Sequence, residues 1–106
     1  MISIETGSGN VYADLKVTDA SEMLVKARLA SKINQAIHAR GWTQLQAAKA
    51  LGISQAKLSG LLRGQFRGIS EAKMMECLSL LGHRVQIVIT EQTALVMPSP
   101  VEVVFA

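Results

Sequence analysis

Apolar residues return at three- and four-residue steps along the middle of this chain, and glycines punctuate the returns. Met23, Ala27, Ala30, Ile33 and Ile37 make one apolar helical face. Asp19-Ala-Ser-Glu22 ahead of them resembles a capping box, so a long helix is expected from about Ala20 to Arg40, stopped by Gly41. Thr43-Gln-Leu-Gln46 is a second capping box and predicts a short helix ending near Leu51, with Gly52 as the turn. Ser54 caps a third helix, Gln55 to about Arg63, that stops at Gly64. Gln65-Phe66-Arg67-Gly68 reads as a loop. Ser70 caps a fourth helix, Glu71 to Leu81, with Met74, Cys77, Leu78 and Leu81 on one face and Gly82 at its end.

The period then changes. Arg84-Val-Gln-Ile-Val-Ile-Thr90 alternates and is β-branched, which predicts a carboxy-terminal β-strand. A lone strand is not stable in water. Its partner is expected to be Pro100-Val-Glu-Val-Val-Phe105, the amino-terminal arm, or the same strand of a second copy, which would build a two-fold dimer. Residues 1–18 read as a polar arm without long regular structure, packing some of Ile2, Ile4, Val11, Tyr12 and Leu15 on the body. The expected organisation is an arm (1–18), a helical domain (19–82) and a strand and tail for dimerisation (83–106).

Composition changes this picture little; charge distribution changes it more. With 106 residues, 49% of them hydrophobic and 18% charged, the chain suits one globular domain. Its formal charge of +3 alone points to no partner. Yet residues 23 to 70 hold no acid and eight bases: Lys26, Arg28, Lys32, Arg40, Lys49, Lys57, Arg63 and Arg67. That asymmetry places positive potential where phosphate can be attracted. Cys77 is the only cysteine, which fits a reducing cytoplasm. No apolar run approaches the roughly 18 residues of a membrane span, and Met1-Ile-Ser-Ile-Glu5 lacks signal-peptide character.

Two short capped helices joined by a glycine turn, within a basic field, are the footprint of a DNA-reading helix-turn-helix. Ala47 and Ala48 are small enough for close helix crossing. Leu45, Leu51, Ile53, Leu58, Leu61 and Leu62 supply the apolar contacts. Gln55, Ala56, Lys57, Ser59 and Arg63 are left pointing outward on the third helix. A Gln amide matches adenine N6 and N7, Lys reaches guanine or phosphate, and Ala56 can touch a thymine methyl. Gln44 opens the preceding helix, where an amino terminus approaches phosphate. Lys49, Arg63, Gln65 and Arg67 are further backbone candidates. The expected DNA-facing set is Gln44, Ser54, Gln55, Ala56, Lys57, Ser59, Arg63, Gln65 and Arg67.

Thr43-Gln-x-x-x-Ala-x-x-x-Gly52-Ile-Ser-Gln-x-x-Leu-Ser-x-Leu-x-x-Gly64 resembles the Cro/cI-type (Xre-type) helix-turn-helix. Gly9-Asn-Val-Tyr-Ala-Asp-Leu15, Asp19-Ala-x-Glu-Met23, Lys26-Ala-x-Leu-Ala30, Leu62-Arg-Gly-Gln-Phe-Arg-Gly-Ile-Ser70 and Leu81-Gly-His-Arg-Val-Gln-Ile-Val88 further resemble HigA-type antitoxins and the related small Xre regulators. The likeness covers about residues 9 to 90. It implies a mainly α, lambda-repressor-like bundle of about four helices, with Gln44 on phosphate and Gln55 reading adenine. Ala56, Lys57, Ser59 and Gly60 take other groove-facing positions, although Gly60 has no side chain to read with. Lys16 departs from the family, whose members often carry Gly there. The resemblance also implies a small ribonuclease toxin as a partner and repression of a shared promoter.

Several residues have plainer readings. The α-helical bases Lys26, Arg28, Lys32 and Arg40 suit a solvated face, with one or two near phosphate. Trp42 and Phe66 suit core or hinge plugs. Cys77 suits a small buried hydrophobe. His38 and His83 lack ligand-spaced neighbours, so neither metal nor cofactor is expected. Met97 is a lesser candidate for a partner surface. No nucleophile constellation or Walker loop suggests an enzyme. The reading is a homodimeric, cytoplasmic repressor on double-stranded operator DNA. The alternative is a protein-binding module that neutralises a toxin or another partner, with incidental DNA affinity.

Overall fold

The computed structural model describes residues 11–91 and 101–106, with side chains of the first helix described from residue 20 onward. Four helices are present among them: α1 (Val11–Arg40), α2 (Gln44–Leu51), α3 (Gln55–Leu62) and α4 (Glu71–Leu80). α1 packs chiefly on α4 and α2 on α3, while α1–α3 and α2–α4 contacts close the bundle. The expected α-helical bundle is therefore present.

The core follows the helical periods. Leu29, Ala30, Ile33, Ala36 and Ile37 of α1 are buried against Leu51, Leu58, Leu61, Met74, Cys77 and Leu78. Met23 and Ala27 are half-buried at its margin. α1 starts earlier than the sequence pattern suggests. It runs unbroken through residues 19–22, so no helix start lies at Asp19, and residues 11–18 are helical rather than irregular. Between Val11 and Thr18 there is no Gly or Pro to end a helix. A capping sequence starts a helix only where the preceding residues leave helical conformation.

The other boundaries obey their caps. Thr43 Oγ1 accepts from the Gln46 N–H at 3.2 Å, and the Thr43 N–H donates to Gln46 Oε1 at 2.9 Å. α2 ends where Gly52 adopts a left-handed φ of 70°. Ser54 Oγ accepts from Lys57 N at 3.0 Å, and Ser70 Oγ accepts from Lys73 N at 3.1 Å.

The carboxy-terminal β-strand is not found. No strand exists among the described residues, and residues 83–91 have no regular structure. Their alternation is real, but a strand needs a ladder partner. Residues 11–18 are in α1, and the described tail lies elsewhere. Val103 packs at the core margin, and the Phe105 ring meets Arg28 Cζ at 4.9 Å and Lys32 Nζ at 5.1 Å on α1. Ile2, Ile4, Met97, Pro98, Pro100 and the side chains of Val11, Tyr12, Leu15 and Lys16 fall outside the described residues. Among the described residues no helix is long and apolar enough to cross a membrane.

Candidate nucleic-acid interface

α2, a glycine turn and α3 form a helix-turn-helix whose inner side is closed by small and branched residues. Ala47 and Ala48 are buried, and α2 packs on α3 there without a bulky spacer. Leu51, Leu58 and Leu61 are buried, and Ile53 and Leu62 pack at the edge. Leu45 is the exception among the expected contacts: it is 53% exposed. It lies in the first turn of α2, whose buried residues are Ala47, Ala48 and Leu51.

With that inner side closed, α3 presents Gln55, Ala56 and Lys57 to solvent from its first turn. The Ser54 cap fixes the direction of that turn, and its own oxygen accepts a backbone N–H. Ser59 is half-buried and accepts from Arg63 Nη1 at 3.1 Å, so these two candidates act as one polar unit. Gln44 is exposed at the first position of α2, beside free helical N–H groups.

Gly60 does not face outward as expected. It is buried, and Gln65 folds back over it. The Gln65 N–H donates to the Gly60 carbonyl at 2.8 Å, and a Cβ on Gly60 would stand 3.0 Å from Gln65 Oε1. Gln65 itself remains exposed at the end of α3. Beyond it, the Ile69 N–H donates to the Phe66 carbonyl at 3.4 Å, and Gly68 takes a φ of 89°. This is the pattern of a type II turn, with exposed Arg67 at its leading corner.

All four bases from α1 are engaged within the protein. Lys26 donates to the Phe66 carbonyl, Arg28 and Lys32 flank Phe105, and Arg40 donates to the Leu81 carbonyl. Lys49, Lys57, Arg63 and Arg67 are exposed on α2, α3 and the turn after α3, and Arg28 and Arg40 are exposed on α1. Trp42 is half-buried beneath Arg40, at 5.0 Å from its guanidinium, as a hinge plug.

Lys73 lies outside the expected DNA-facing set. Ser70-Glu-Ala-Lys73 repeats the cap-and-lysine spacing of Ser54-Gln-Ala-Lys57. An open groove runs between these two helix starts, lined by Ser54, Lys57, Gly68, Ser70 and Lys73. Lys73 pairs with Glu76 at 3.2 Å, which weakens its pull on an anion. The repeated motif was the available signal. Lys73 lies just past the acid-free window.

Among the described residues no three His, Cys, Asp or Glu side chains gather as a metal site. Burial pushes the Cys77 thiol above its ordinary pKa, with Lys73 opposing and Glu76 reinforcing the shift. That suits a packing residue, since the thiolate is the reactive form.

A family model described as a helix-turn-helix domain matches residues 11–90. A solved structure assigned by its description to the XRE family of transcriptional regulators is 35% identical, with a TM-score of 0.76. That match spans 83% of this chain and 99% of the other. No curated protein matches the chain. With the helix-turn-helix and its basic outer face, these similarities make the chain a member of the Xre (Cro/cI-type) family of helix-turn-helix regulators, which bind specific DNA sequences and are not enzymes.

Proposed function

We propose that the chain is a repressor that covers its operator as a homodimer, with α3 of each protomer in the major groove. The observation that carries this reading is the exposed trio Gln55, Ala56 and Lys57 on the capped first turn of α3. Gln55 reads adenine, Lys57 reaches guanine or phosphate, and Ala56 meets a thymine methyl. Gln44, Ser54, Gln65 and Arg67 hold the phosphate backbone, with the linked Ser59 and Arg63 at the end of the helix. Ile87, Val88 and Ile89, all exposed and apolar after α4, support contact with a second copy. Two recognition helices then lie about 34–36 Å apart on a partly palindromic site. A dimer over a promoter excludes polymerase.

The flanking resemblance to HigA-type antitoxins supports a finer setting: a cytoplasmic regulator of its own operon, paired with a small ribonuclease toxin. The same apolar residues favour the second reading, a module whose main task is holding a protein partner. Fluorescence anisotropy with DNA from upstream of its gene and a shuffled duplex separates the two. The repressor prefers the native duplex by about a thousandfold or more. Gln55→Ala and Lys57→Ala each reduce that preference by about 1–3 kcal/mol. Equal binding to both duplexes, unchanged in the two variants, would sink the repressor reading and direct the search to a protein partner.

A further inference from the structure

We propose that Lys26 of α1 is a positioning residue for DNA binding: its buried ammonium holds the turn at residues 66–69 so that Arg67 is presented to a backbone phosphate. The proposal rests on the reading of the helix-turn-helix as the DNA-contacting surface.

Lys26 stands where the helical period calls for an apolar residue, one step before Ala30, Ile33 and Ile37 on the buried stripe of α1. Its side chain is only 7% exposed. A buried ammonium is retained at low cost only where it is paired and hydrogen-bonded. Here Nζ lies 3.7 Å from Glu22 Oε2 and donates to the Phe66 carbonyl at 3.3 Å, forty residues along the chain. That carbonyl also accepts the Ile69 N–H that closes the turn. A carbonyl has two lone pairs, and both of these are engaged. The turn bond alone is long, at 3.4 Å. The bond from α1 is of similar length, at 3.3 Å, and adds the attraction of a charged donor to the same carbonyl. It fastens the residue preceding Arg67 to a helix that does not itself face the groove. Phe66 is half-buried against the core, so ring and carbonyl anchor the same residue from two directions. Arg67 therefore starts from a fixed backbone, which lowers the ordering cost of a phosphate contact.

The test compares the full chain, Lys26→Met, Arg67→Ala and the double variant on native and shuffled duplexes across a salt series, with Gln55→Ala as control. Met keeps the bulk and suits the buried site, and Glu22, 42% exposed, stays solvated without its partner, so the chain keeps its fold. Arg67→Ala should weaken both duplexes alike and lower the salt slope by about one per protomer. Lys26→Met should reproduce most of that loss, and the double variant should bind no worse than Arg67→Ala. Amide exchange at Ile69 should quicken in Lys26→Met while the amides of α4 keep their protection. If Lys26→Met does not fold, Lys26→Gln is measured in the same way. Parent-like binding by Lys26→Met, or losses that multiply in the double variant, overturns the proposal. An inert Arg67→Ala beside a Gln55→Ala that loses sequence preference also overturns it, while leaving the DNA reading intact. If Gln55→Ala is inert as well, the DNA reading fails first.

Discussion

Arg40 Nη2 donates to the Leu81 carbonyl at 3.1 Å while its guanidinium lies 5.0 Å from the centre of the Trp42 ring. One side chain thus joins the last turn of α1 to the carboxy terminus of α4 and covers the entry to α2. Carbonyls at a helix end lack intrahelical partners and carry the negative end of the dipole, so a cation is favoured there. Gly82 follows with a φ of 88°, and a Cβ on it would stand 3.1 Å from Arg40 Nη2. Arg40→Ala should lower the unfolding free energy by about 1–2 kcal/mol in urea, from the lost hydrogen bond and ring contact. DNA affinity per folded molecule should not change. A fall in affinity at parent stability would instead assign Arg40 to phosphate.

Thr43 and Gln46 exchange two hydrogen bonds at the start of α2. Thr43→Ala removes one side-chain acceptor and leaves the Gln46 N–H without it, so stability should fall by about 1 kcal/mol. Gln44 stands at the first helical position beside this cap. The variant should therefore weaken native and shuffled duplexes alike through a frayed helix start, leaving the ratio between them unchanged. A changed ratio would mean that α2 contributes to base reading. Circular dichroism melts and anisotropy on the two duplexes measure both effects.

The Cys77 thiol is buried on α4, and burial raises its pKa above the ordinary value. At alkaline pH the unfolded chain loses this proton before the folded chain does. The unfolded state then binds fewer protons, so stability falls as pH rises. The contribution is fully present below about 8.5, the pKa of an exposed thiol, and is lost above it toward the folded value. Urea titrations at pH 7 and pH 10 should show a smaller alkaline loss in Cys77→Ala than in the parent chain, despite the lower starting stability of Cys77→Ala. Alkylation of the parent thiol at pH 8 should be slow and should track global unfolding. Rapid alkylation of the folded chain would contradict the buried placement.

The helix-turn-helix was legible because its signals are local. Thr43, Ser54 and Ser70 each begin a helix where the sequence places a cap, and Gly52 turns where a glycine is needed. Helical period marks Ile33, Ile37, Met74 and Cys77 as core without knowledge of the fold. Three features were not legible, each for a non-local reason. The capping pattern at residue 19 is silent because the chain before it is already helical. The alternation at residues 84–90 shows two faces but not a ladder partner, and no strand forms among the described residues. The bases of α1 look solvated in sequence because Phe66, Leu81 and Phe105, which engage Lys26, Arg40 and the Arg28–Lys32 pair, lie far along the chain. Only the tertiary fold brings these partners to α1.

Gly60 tests whether the end of α3 is shaped for stability or for contact. Glycine inside a helix is less stable than alanine by about 0.5–1 kcal/mol, because the unfolded chain has more freedom to lose. Gly60 is helical and buried, and the three atoms nearest to a new Cβ all belong to Gln65. The nearest is Oε1 at 3.0 Å, the far end of a flexible side chain that can move away. Gly60→Ala should therefore raise the unfolding free energy by several tenths to about 1 kcal/mol. It should also swing the Gln65 amide from its place over α3, and DNA binding should weaken in a way that Gln65→Ala reproduces and the double variant does not exceed. A stable Gly60→Ala with parent-like affinity would remove Gln65 from the DNA-facing set. A destabilised Gly60→Ala would mean that the contact with Gln65 is rigid, and that glycine is held at this position by packing rather than by access to DNA.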